Sequence, residues 1–402
     1  MKVLLINSTV YSSTGAICRE LAEEMERSGI DNLFVYTTGE TSNGRINLKR
    51  VGNMSYLKRQ AIRSRLLGNY GFNSKGITKK LIKTIEEYDP DIVHLHNMHT
   101  HNCNLTMLFD FLKNRRQKLV WTFHDCWAFT AYCTHFTISG CDKWKTHCES
   151  CPQYKEYSAL FDRSAALYDK KRALFEGLDL TVVTPSDWLN RLVGQSMFSG
   201  CPVKTIHNGI DTDVFRPEPS DFREQNGISA DQKLILGVAF DWGYKKGLDV
   251  FAELSKRLDK DKYRIALVGA GKAGEKTPEN IIVVPRTDSR KKLAQIYTAA
   301  DVFVNPTREE VLGLVNIEAN ACGTPVVTFD TGGSPECIDE KSGLTVPCDD
   351  IDALIKGIED ICYGGKIKPE DCVKRASGFD KRKTYSEYIK LYEEIYDRTA
   401  KA

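Results

Sequence analysis

The chain has 402 residues, 41% of them hydrophobic, a length and composition that fit two domains with a core each. A formal net charge of only +2 selects neither nucleic acid nor membrane, and no apolar run suits a signal peptide or approaches the roughly 20 residues of a membrane span. The 13 scattered cysteines argue against a disulfide framework, so we expect a soluble cytoplasmic protein with reduced thiols.

Short runs rich in Val, Ile and Leu alternate with helix-like segments along the first half of the chain. A first helix is predicted over 15–28. The predicted strands cover 2–6, 33–36, 92–96, 119–123 and 181–184. Apolar strands joined by crossover helices are typical of a parallel sheet covered on both faces. We therefore predict a doubly wound, Rossmann-like α/β domain over 1–205, with a cysteine-rich insertion at 126–152.

The second half repeats this pattern and predicts another doubly wound α/β domain over 220–380. Its predicted strands cover 234–239, 264–268, 281–284, 302–305 and 325–329. An Asn-Gly turn and two prolines make 206–219 a linker, and a periodic aromatic segment predicts a helix over 381–402 that packs back on the first domain. Since parallel strands present ligands at their carboxyl ends, two such domains in tandem predict a binding cleft between them.

The most informative motif is T-R-E-E-V-L-G-L-V-N-I-E at 307–318. Glu310 follows a predicted strand, while Gly313 and Leu314 begin a helix that carries Glu318. A helix start offers backbone N–H groups to a diphosphate, and carboxylates beside it accept hydrogen bonds from sugar hydroxyls. Solvated surface glutamates are the alternative that the spacing alone leaves open.

The motif resembles the Glu, seven residues, Glu signature of the family 4 retaining glycosyltransferases of the GT-B fold. Other blocks match in the same order: S-T-G at 13–15, P-D-I-V-H-L-H at 90–96, T-F-H-D at 122–125, N-G-I-D at 208–211, V-F-R-P at 214–217, K-G at 246–247 and T-G-G-S-P-E at 331–336. The resemblance covers nearly the whole chain. It implies two Rossmann-like domains facing a cleft, with the acceptor on the first domain and a nucleotide sugar on the second.

The resemblance implies a role for three side chains near the sugar. Glu310 contacts the transferred sugar, Glu318 the donor ribose, and His124, at a strand end, reaches the sugar from the first domain. A histidine at a strand end is otherwise a packing or hydrogen-bonding residue, and only the T-F-H-D context favours the catalytic interpretation.

Other residues are implied to hold the donor phosphates. Gly15 lets the backbone approach them closely, and the amides at Gly313 and Leu314 face them. Lys245 and Lys246 neutralise the leaving diphosphate. The family places an arginine a few residues before this lysine pair, whereas F-D-W-G-Y stands here at 240–244, so Arg286 is the candidate substitute.

Taken together, the blocks predict transfer of a hexose-type sugar from a nucleotide-diphosphate donor to a saccharide or lipid-linked saccharide, in capsule, exopolysaccharide or O-antigen synthesis, with retention of anomeric configuration. No cofactor or metal is expected in catalysis. The G-x-G-x-x-G at 269–274 lacks room for the following helix of a dinucleotide site. A nucleotide-sugar epimerase or a phosphorylase with the same fold, and an RNA-binding protein, are the alternatives.

Four cysteines crowd behind the T-F-H-D block, namely Cys133, Cys141, Cys148 and Cys151. Four thiolates that include one C-x-x-C pair suit a tetrahedral structural zinc that pins the loop. Unliganded buried thiols and another metal are the alternatives that the loose spacing leaves open.

A basic stretch runs over 45–83, and within it 56–70 places Leu57, Ala61, Ile62 and Leu66 on one helical face beside arginines. Such a helix suits the interface of an anionic membrane, whereas a solvated surface is the simpler interpretation. Under the first interpretation the protein binds peripherally to the inner face of the cytoplasmic membrane, and under the second it stays in the cytoplasm. RNA binding is disfavoured because few aromatics are interleaved with the basic residues.

Overall fold

A computed structural model of the chain describes residues 1–40, 46–99, 101–271, 277–278, 280–287 and 289–400, and their side chains except those of 12, 13, 399 and 400. The chain divides into two compact units, Met1–His207 with Thr384–Ala402, and Asn208–Lys383. Each unit has a parallel sheet with helices, which confirms the predicted fold class. None of the described helices is long and apolar enough to span a bilayer.

The first unit is built on a seven-stranded parallel sheet with the order β3-β2-β1-β4-β5-β6-β7. Its strands are β1 (Lys2–Thr9), β2 (Asp31–Thr38), β3 (Leu48–Arg50), β4 (Ile92–Leu95), β5 (Lys118–Thr122), β6 (Leu180–Thr184) and β7 (Val203–Thr205). Its helices before residue 208 are α1 (Ser12–Arg27), α2 (Met54–Leu67), α3 (Lys75–Tyr88), α4 (Leu105–Asn114), α5 (Tyr154–Tyr157), α6 (Ser164–Phe175) and α7 (Asp187–Val193). The sequence did not predict β3 and β7, because these edge strands have three residues each and no fully buried side chain to make an apolar run.

The second unit has a six-stranded parallel sheet with the order β10-β9-β8-β11-β12-β13. Its strands are β8 (Lys233–Val238), β9 (Tyr263–Val268), β10 (Ile281–Val284), β11 (Val302–Asn305), β12 (Val326–Phe329) and β13 (Gly343–Val346). The remaining helices of the chain are α8 (Phe222–Gln225), α9 (Leu248–Arg257), α10 (Arg290–Ala299), α11 (Leu314–Ala321), α12 (Ile351–Gly364), α13 (Pro369–Ala376) and α14 (Lys381–Ala400). Strand β13 was not predicted, since its four residues lie at the sheet edge and two of them are incompletely buried.

Each sheet reverses its strand order at one central strand. In the first unit β1 pairs with both β2 and β4, and in the second unit β8 pairs with both β9 and β11. The loops after β1 and β4, and those after β8 and β11, therefore leave their sheets side by side and diverge to opposite faces. In open parallel sheets this reversal point is where ligands bind.

Helix α14 contributes to the core of the first unit. Tyr385, Tyr388 and Tyr392 are spaced three and four residues apart, which puts them on one helical face, and all three are buried in the same cluster as Leu21 and Phe34. The Tyr392 hydroxyl lies 2.6 Å from His94 Nδ1 at the centre of the sheet. The end of the chain is thus a structural part of the first unit.

The segment predicted as a linker over 206–219 is packed rather than free. Ile206 is buried in the first core, while Ile210 and Phe215 are buried in the second. The Ile210 amide donates to the Phe379 carbonyl over 2.9 Å. Prolines and an Asn-Gly turn gave the segment its linker-like composition, but its three apolar side chains decide where it packs.

Candidate active site

The reversal point of the second sheet brings together two lysines and two glutamates. Lys245 and Lys246 lie in a 3-10 turn after β8, and Glu309 and Glu310 lie in the loop after β11. Lys246 Nζ is 2.7 Å from Glu310 Oε2, and Lys245 Nζ is 2.9 Å from Glu309 Oε2. Sequence analysis predicted that the lysines and Glu310 belong to one site, and the structure pairs Lys246 with Glu310 and Lys245 with the neighbouring Glu309.

Arg308, which sequence analysis did not single out, links these two loops through hydrogen bonds. Its side chain is 7% exposed, and its guanidinium lies 3.9 Å from the ring centroid of Tyr244. The guanidinium donates to the Asp249 carboxylate at 2.8 and 2.9 Å, to Asp349 at 2.7 Å, and to the Tyr244 carbonyl at 2.6 Å. The guanidinium is buried while the Asp249 and Asp349 side chains are half exposed, so these bonds fix its position between the two loops. The sequence feature that could have identified Arg308 is its position directly before the two glutamates.

A glycine pair supports the backbone of Glu310 from the loop after β12. Gly332 has φ +59°, and a Cβ atom there would lie 1.7 Å from the Glu310 carbonyl oxygen. The Gly333 amide donates to the same oxygen over 3.4 Å. Only a residue without a side chain lets the two loops approach this closely, which explains the T-G-G of the matching block.

Helix α11 begins beside Glu310, as the motif predicts. Gly313, its first cap residue, has φ +83°, and a Cβ atom on it would lie 3.5 Å from Glu310 Cγ. Asn316 anchors this first turn, since its Oδ1 accepts from Asn305 Nδ2 at 2.8 Å and its Nδ2 donates to the Ser334 carbonyl at 3.4 Å. The Ser334 hydroxyl is buried without a hydrogen-bond partner among the described residues. A helix start with a spare hydroxyl beside it is a suitable seat for an anion.

Glu318 lies further along α11 and is partly buried. The Tyr297 hydroxyl donates to Glu318 Oε2 over 3.0 Å. Burial raises the pKa of Glu318 to about 7, although the hydrogen bond from Tyr297 works in the opposite direction. A carboxyl group that titrates near neutrality in a ligand-binding region of the fold is a functional candidate.

Arg286 lies in the loop after β10 of the second unit. Its guanidinium stacks 4.4 Å from the ring centroid of Phe240, a side chain that is 75% exposed. Phe240 begins the stretch that replaces the expected arginine. The predicted contact of Arg286 with donor phosphate therefore remains a prediction. Of the G-x-G-x-x-G at 269–274, residues 272–274 lie outside the described part of the chain.

In the first unit, His124 lies in the loop after β5 and faces the loop after β4. His124 Nε2 is 3.0 Å from His96 Nδ1, and the rings stack with centroids 5.3 Å apart. Burial lowers the pKa of His124 to about 4, and it also lowers the pKa of His96. Both imidazoles are therefore neutral at pH 7, so His124 offers a hydrogen bond rather than a charge.

Gly15 lies in the first turn-and-a-half of α1. A Cβ atom there would lie 2.7 Å from the Val10 carbonyl carbon and 2.9 Å from the Thr9 carbonyl oxygen. The glycine is thus required for packing the helix against its own preceding loop. The predicted contact of its backbone with the donor phosphates stays a prediction.

The four predicted metal ligands lie in the first unit. Cys133, Cys141, Cys148 and Cys151 line one cavity of about 20 Å³, and all are free thiols. Among the described residues, no three of these sulfur atoms lie within 4.8 Å of one another. The cysteines therefore share a cavity without having the spacing of ligands that already hold an ion.

Two family descriptions match the chain. "Glycosyltransferase Family 4" matches residues 15–214, and "Glycosyl transferases group 1" matches residues 232–363. The "Putative colanic acid biosynthesis glycosyl transferase WcaC" of Escherichia coli (strain K12) is 25% identical over 98% of this chain and 100% of its own length. A D-inositol 3-phosphate glycosyltransferase of Mycobacteroides abscessus is 32% identical over 42% of this chain and 41% of its own.

Solved structures share the fold over nearly the whole chain. Sucrose-phosphate synthase from Thermosynechococcus elongatus has a TM-score of 0.70 at 18% identity and covers 99% of both chains. Anabaena Alr3699/HepE in complex with UDP-glucose has a TM-score of 0.68 at 15% identity, covering 98% of this chain and 100% of that one. At such identities the likeness shows the two-unit GT-B fold.

Proposed function

The chain belongs to the glycosyltransferases of the GT-B fold, with a family 4 amino-terminal part and a group 1 carboxyl-terminal part, and we propose that it transfers a hexose-type sugar from a nucleotide-diphosphate donor with retention of configuration. The family assignment favours this over the epimerase, phosphorylase and RNA-binding alternatives. Its similarity along 98% of the chain to a protein named for colanic acid biosynthesis supports a role in cell-surface polysaccharide synthesis.

The observation that carries the proposal is the Lys246–Glu310 pair beside the start of α11. In glycosyl transfer negative charge develops on the leaving diphosphate while the sugar becomes oxocarbenium-like. Lys246 and the helix-start amides at Gly313 and Leu314 supply positive potential for the diphosphate. Glu310, 2.7 Å from the Lys246 ammonium, is positioned to hold the sugar attached to it. Glu318 then takes the ribose of the donor, and Lys245 adds charge at the diphosphate.

His124 has a complementary role in this proposal. A neutral imidazole with one ring nitrogen held by His96 leaves the other nitrogen for a sugar hydroxyl. Because burial keeps His124 uncharged at pH 7, it does not oppose the positive charge that develops on the sugar. The acceptor hydroxyl loses its proton to a donor phosphate oxygen, so no metal or enzymic nucleophile is required by the proposal.

Transfer is tested by incubating the full chain with nucleotide sugars and saccharide acceptors. We expect free nucleoside diphosphate to form only when both substrates are present, and NMR of the product to show the donor's anomeric configuration. Nucleotide release without acceptor, or an epimerised nucleotide sugar as sole product, would contradict the proposal. An inverted product would remove only the retaining mechanism.

The role of Glu310 is tested by Glu310→Gln, which keeps the volume and removes the charge. We expect a loss of transfer of at least about 100-fold, as for the loss of one preorganised transition-state contact, with an unchanged melting temperature. Glu340→Gln, at an exposed glutamate of the same unit, is the matched control and should retain full activity. Unchanged turnover in Glu310→Gln would remove this residue from the mechanism.

We further propose that the acceptor is lipid-linked and that the chain meets it at an anionic membrane through α2. The apolar side chains exposed there are Met54, Ile62, Leu66 and Leu67, and the neighbouring loop exposes Leu160 and Phe161. Arg65 joins the two segments, because its guanidinium donates to the Glu156 carbonyl at 2.8 Å and its carbonyl accepts from the Ala159 amide at 2.7 Å. Exposed Lys58, Arg59 and Arg63 surround this patch. Arg45, the first residue of the predicted basic stretch, lies outside the described residues.

Membrane binding is tested by co-sedimentation with vesicles. We expect binding to vesicles with anionic lipid that weakens with salt, and little binding to vesicles of neutral lipid alone. Ile62→Gln with Leu66→Gln should reduce the bound fraction several-fold, whereas Tyr396→Gln, at an exposed aromatic side chain on α14 of the first unit, should not. Equal binding by both variants, or retention on RNA instead of vesicles, would contradict this part of the proposal.

A further inference from the structure

The loop between β5 and α6 carries four cysteines that the proposed transfer does not use. Their side chains surround a single small cavity, together with Ala131, Tyr132, Lys143, Trp144 and Glu149. At about 20 Å³ the cavity is large enough for one ion or one water molecule but not for a metabolite. Three of the four cysteines are separated by turns of the chain. The turn at 137–140 lies between Cys133 and Cys141, and the 3-10 helix Lys143–Lys145 lies between Cys141 and Cys148.

Cys148 and Cys151 lie on either side of one tight turn. Burial raises the pKa of the Cys148 thiol to about 11 and also raises the pKa of Cys151, and hydrogen bonds from the backbone amides of Ala131 and Gln153 offset part of this effect. Between the two cysteines Ser150 has φ +45°, a left-handed conformation that costs a non-glycine residue roughly 1 kcal/mol. This tight turn directs Cys148 and Cys151 into the same cavity. Amide-to-sulfur bonds of this kind orient and stabilise metal-bound thiolates.

A buried lysine next to the cysteines provides a separate argument. Lys171 is fully buried, and its ammonium donates to the carbonyls of Trp127 and Thr130 at 2.7 and 2.9 Å. Burial lowers the pKa of Lys171 well below its usual value, while Cys148, Cys133 and Asp125 act in the opposite direction to a smaller extent. Burying a charge without a counter-charge costs several kcal/mol, so neutral thiols would leave this lysine poorly compensated. A Zn²⁺ ion with four thiolates has a net charge of −2 and compensates it.

We propose that Cys133, Cys141, Cys148 and Cys151 bind one structural Zn²⁺ ion. Four thiolate ligands and no vacant position are typical of a structural rather than a catalytic site. Tetrahedral ligation at a Zn–S distance of about 2.3 Å requires sulfur atoms about 3.8 Å apart. Since no three of these sulfurs among the described residues lie within 4.8 Å of one another, ligation draws the turns inward and releases the thiol protons.

Zinc at this position would rigidify the loop that follows His124. The loop has an aromatic core of its own, in which Trp144 lies 5.0 Å from Phe136 and 5.1 Å from Phe129 between ring centroids. Its helices among the described residues are two 3-10 helices of 3 residues each and α5 of 4 residues, so most of its backbone lies outside regular secondary structure. An ion bound to three of its turns fixes them together, and with them the position of His124 and Asp125 at the end of β5.

Zinc content of the full chain is the first test. The protein is expressed with zinc in the medium, purified without chelators, and analysed by mass spectrometry of its metals. We expect about one zinc per chain, and a fall to about a tenth of that in Cys148→Ser with Cys151→Ser. The matched control is Cys201→Ser, at a partly buried cysteine outside the loop, which should keep its zinc.

A second measurement does not depend on the folding of the cysteine variants. The wild-type chain is stripped with a chelator and titrated with Co²⁺, and we expect the intense near-ultraviolet absorption of thiolate-to-cobalt charge transfer, reversed by Zn²⁺. Lys171→Met keeps the volume but removes the compensated charge, and should weaken zinc binding about 10-fold or more. Wild-type protein without zinc and without this absorption, zinc that survives in the double cysteine variant, or a bound metal other than zinc would each overturn the proposal.

Discussion

At the scale of single residues, the Lys246–Glu310 pair joins two groups that the proposed reaction needs separately. The Lys246 side chain is 36% exposed and the Glu310 side chain 21%, and pairs this accessible contribute about 0–1 kcal/mol. A donor diphosphate can therefore compete for the lysine at small cost. Its arrival would release the carboxylate for the sugar, so that the pair keeps both side chains in place until the donor binds.

Glu318 offers a test in which stability and function change in opposite directions. Burial raises its pKa from 4.5 to about 7, so the folded state binds a proton that the unfolded state has released between these values. Its contribution to stability is complete below pH 4.5 and is lost as pH rises through 7. We expect Glu318→Gln to raise the melting temperature at pH 8, because it should increase the free energy of unfolding there by roughly 2–3 kcal/mol. Near pH 4.5 the substitution should have much less effect on either quantity.

Donor binding provides the second readout of the same variant. If Glu318 holds the donor ribose, Glu318→Gln should weaken the binding of nucleoside diphosphates by at least about 10-fold, since a hydrogen bond to a charged group contributes about 1.5–3 kcal/mol. Thermal shift with a panel of nucleoside diphosphates measures this directly. A stability difference that is the same at both pH values would contradict the raised pKa, while unchanged nucleotide binding would remove Glu318 from the donor site.

At the scale of elements, the site depends on three loops that follow β8, β11 and β12. Arg308 ties the second of these to the first through Tyr244 and Asp249, and Gly332 lets the third pass against the Glu310 backbone. Glu310 is the one residue in these contacts whose side chain we propose to touch substrate, and it takes part in them through its backbone carbonyl. The loops are thus held by groups whose function is to position others.

Gly332→Ala tests this support. The new Cβ atom would overlap the Glu310 carbonyl, so we expect transfer to fall by at least about 10-fold and the melting temperature to fall with it. Gly365→Ala is the matched control, because Gly365 has a similar φ of +63° but nothing within 4 Å of its Cβ position. It should show the cost of the backbone conformation alone, on the order of 1 kcal/mol, with full activity. Equal loss in both variants would mean that φ, and not the contact with Glu310, explains the glycine.

At the scale of the whole molecule, the first unit takes its core from both ends of the chain. Residues 384–400 follow the entire second unit in sequence, yet Tyr385, Tyr388 and Tyr392 are buried beside β1, β4 and α1. Loss of one large buried aromatic side chain typically costs about 3–5 kcal/mol, against a total stability of about 5–15 kcal/mol for a domain. We therefore expect the first unit to need the last helix in order to fold.

Truncation after Lys383 should therefore unfold the first unit and leave the second folded. Limited proteolysis with mass spectrometry is expected to yield a protected fragment near 208–383 and no protected fragment near 1–207. Truncation after Arg398 keeps the buried side chains among the described side chains of α14 and serves as the control, with wild-type protection of both units. Protection of 1–207 in the shorter chain would show that the buried tyrosines are dispensable.

The amino-acid sequence alone predicts the fold class, the longer strands and the residues that we propose as the donor site of the second unit. Long apolar runs identified the central strands because parallel strands are buried on both faces. It also determined that Glu310, Gly313 and the lysine pair lie at strand ends, since these positions follow directly from the ends of the runs. The family resemblance rested on the same residues, and the comparisons confirm a glycosyltransferase of the GT-B fold.

Contacts between residues far apart in the chain follow only from the three-dimensional fold. Short edge strands such as β3, β7 and β13 carry too few buried side chains to form a pattern, and the packing of 206–219 followed from partners more than 150 residues away, as with Ile210 and Phe379. The same holds for Arg308, for the approach of Gly332 to Glu310, and for the pairing of His124 with His96. Local composition encodes secondary-structure propensity and the tendency of a side chain to be buried. Shifted pKa values, hydrogen bonds between loops and close backbone contacts arise only when segments distant in sequence pack together and exclude water.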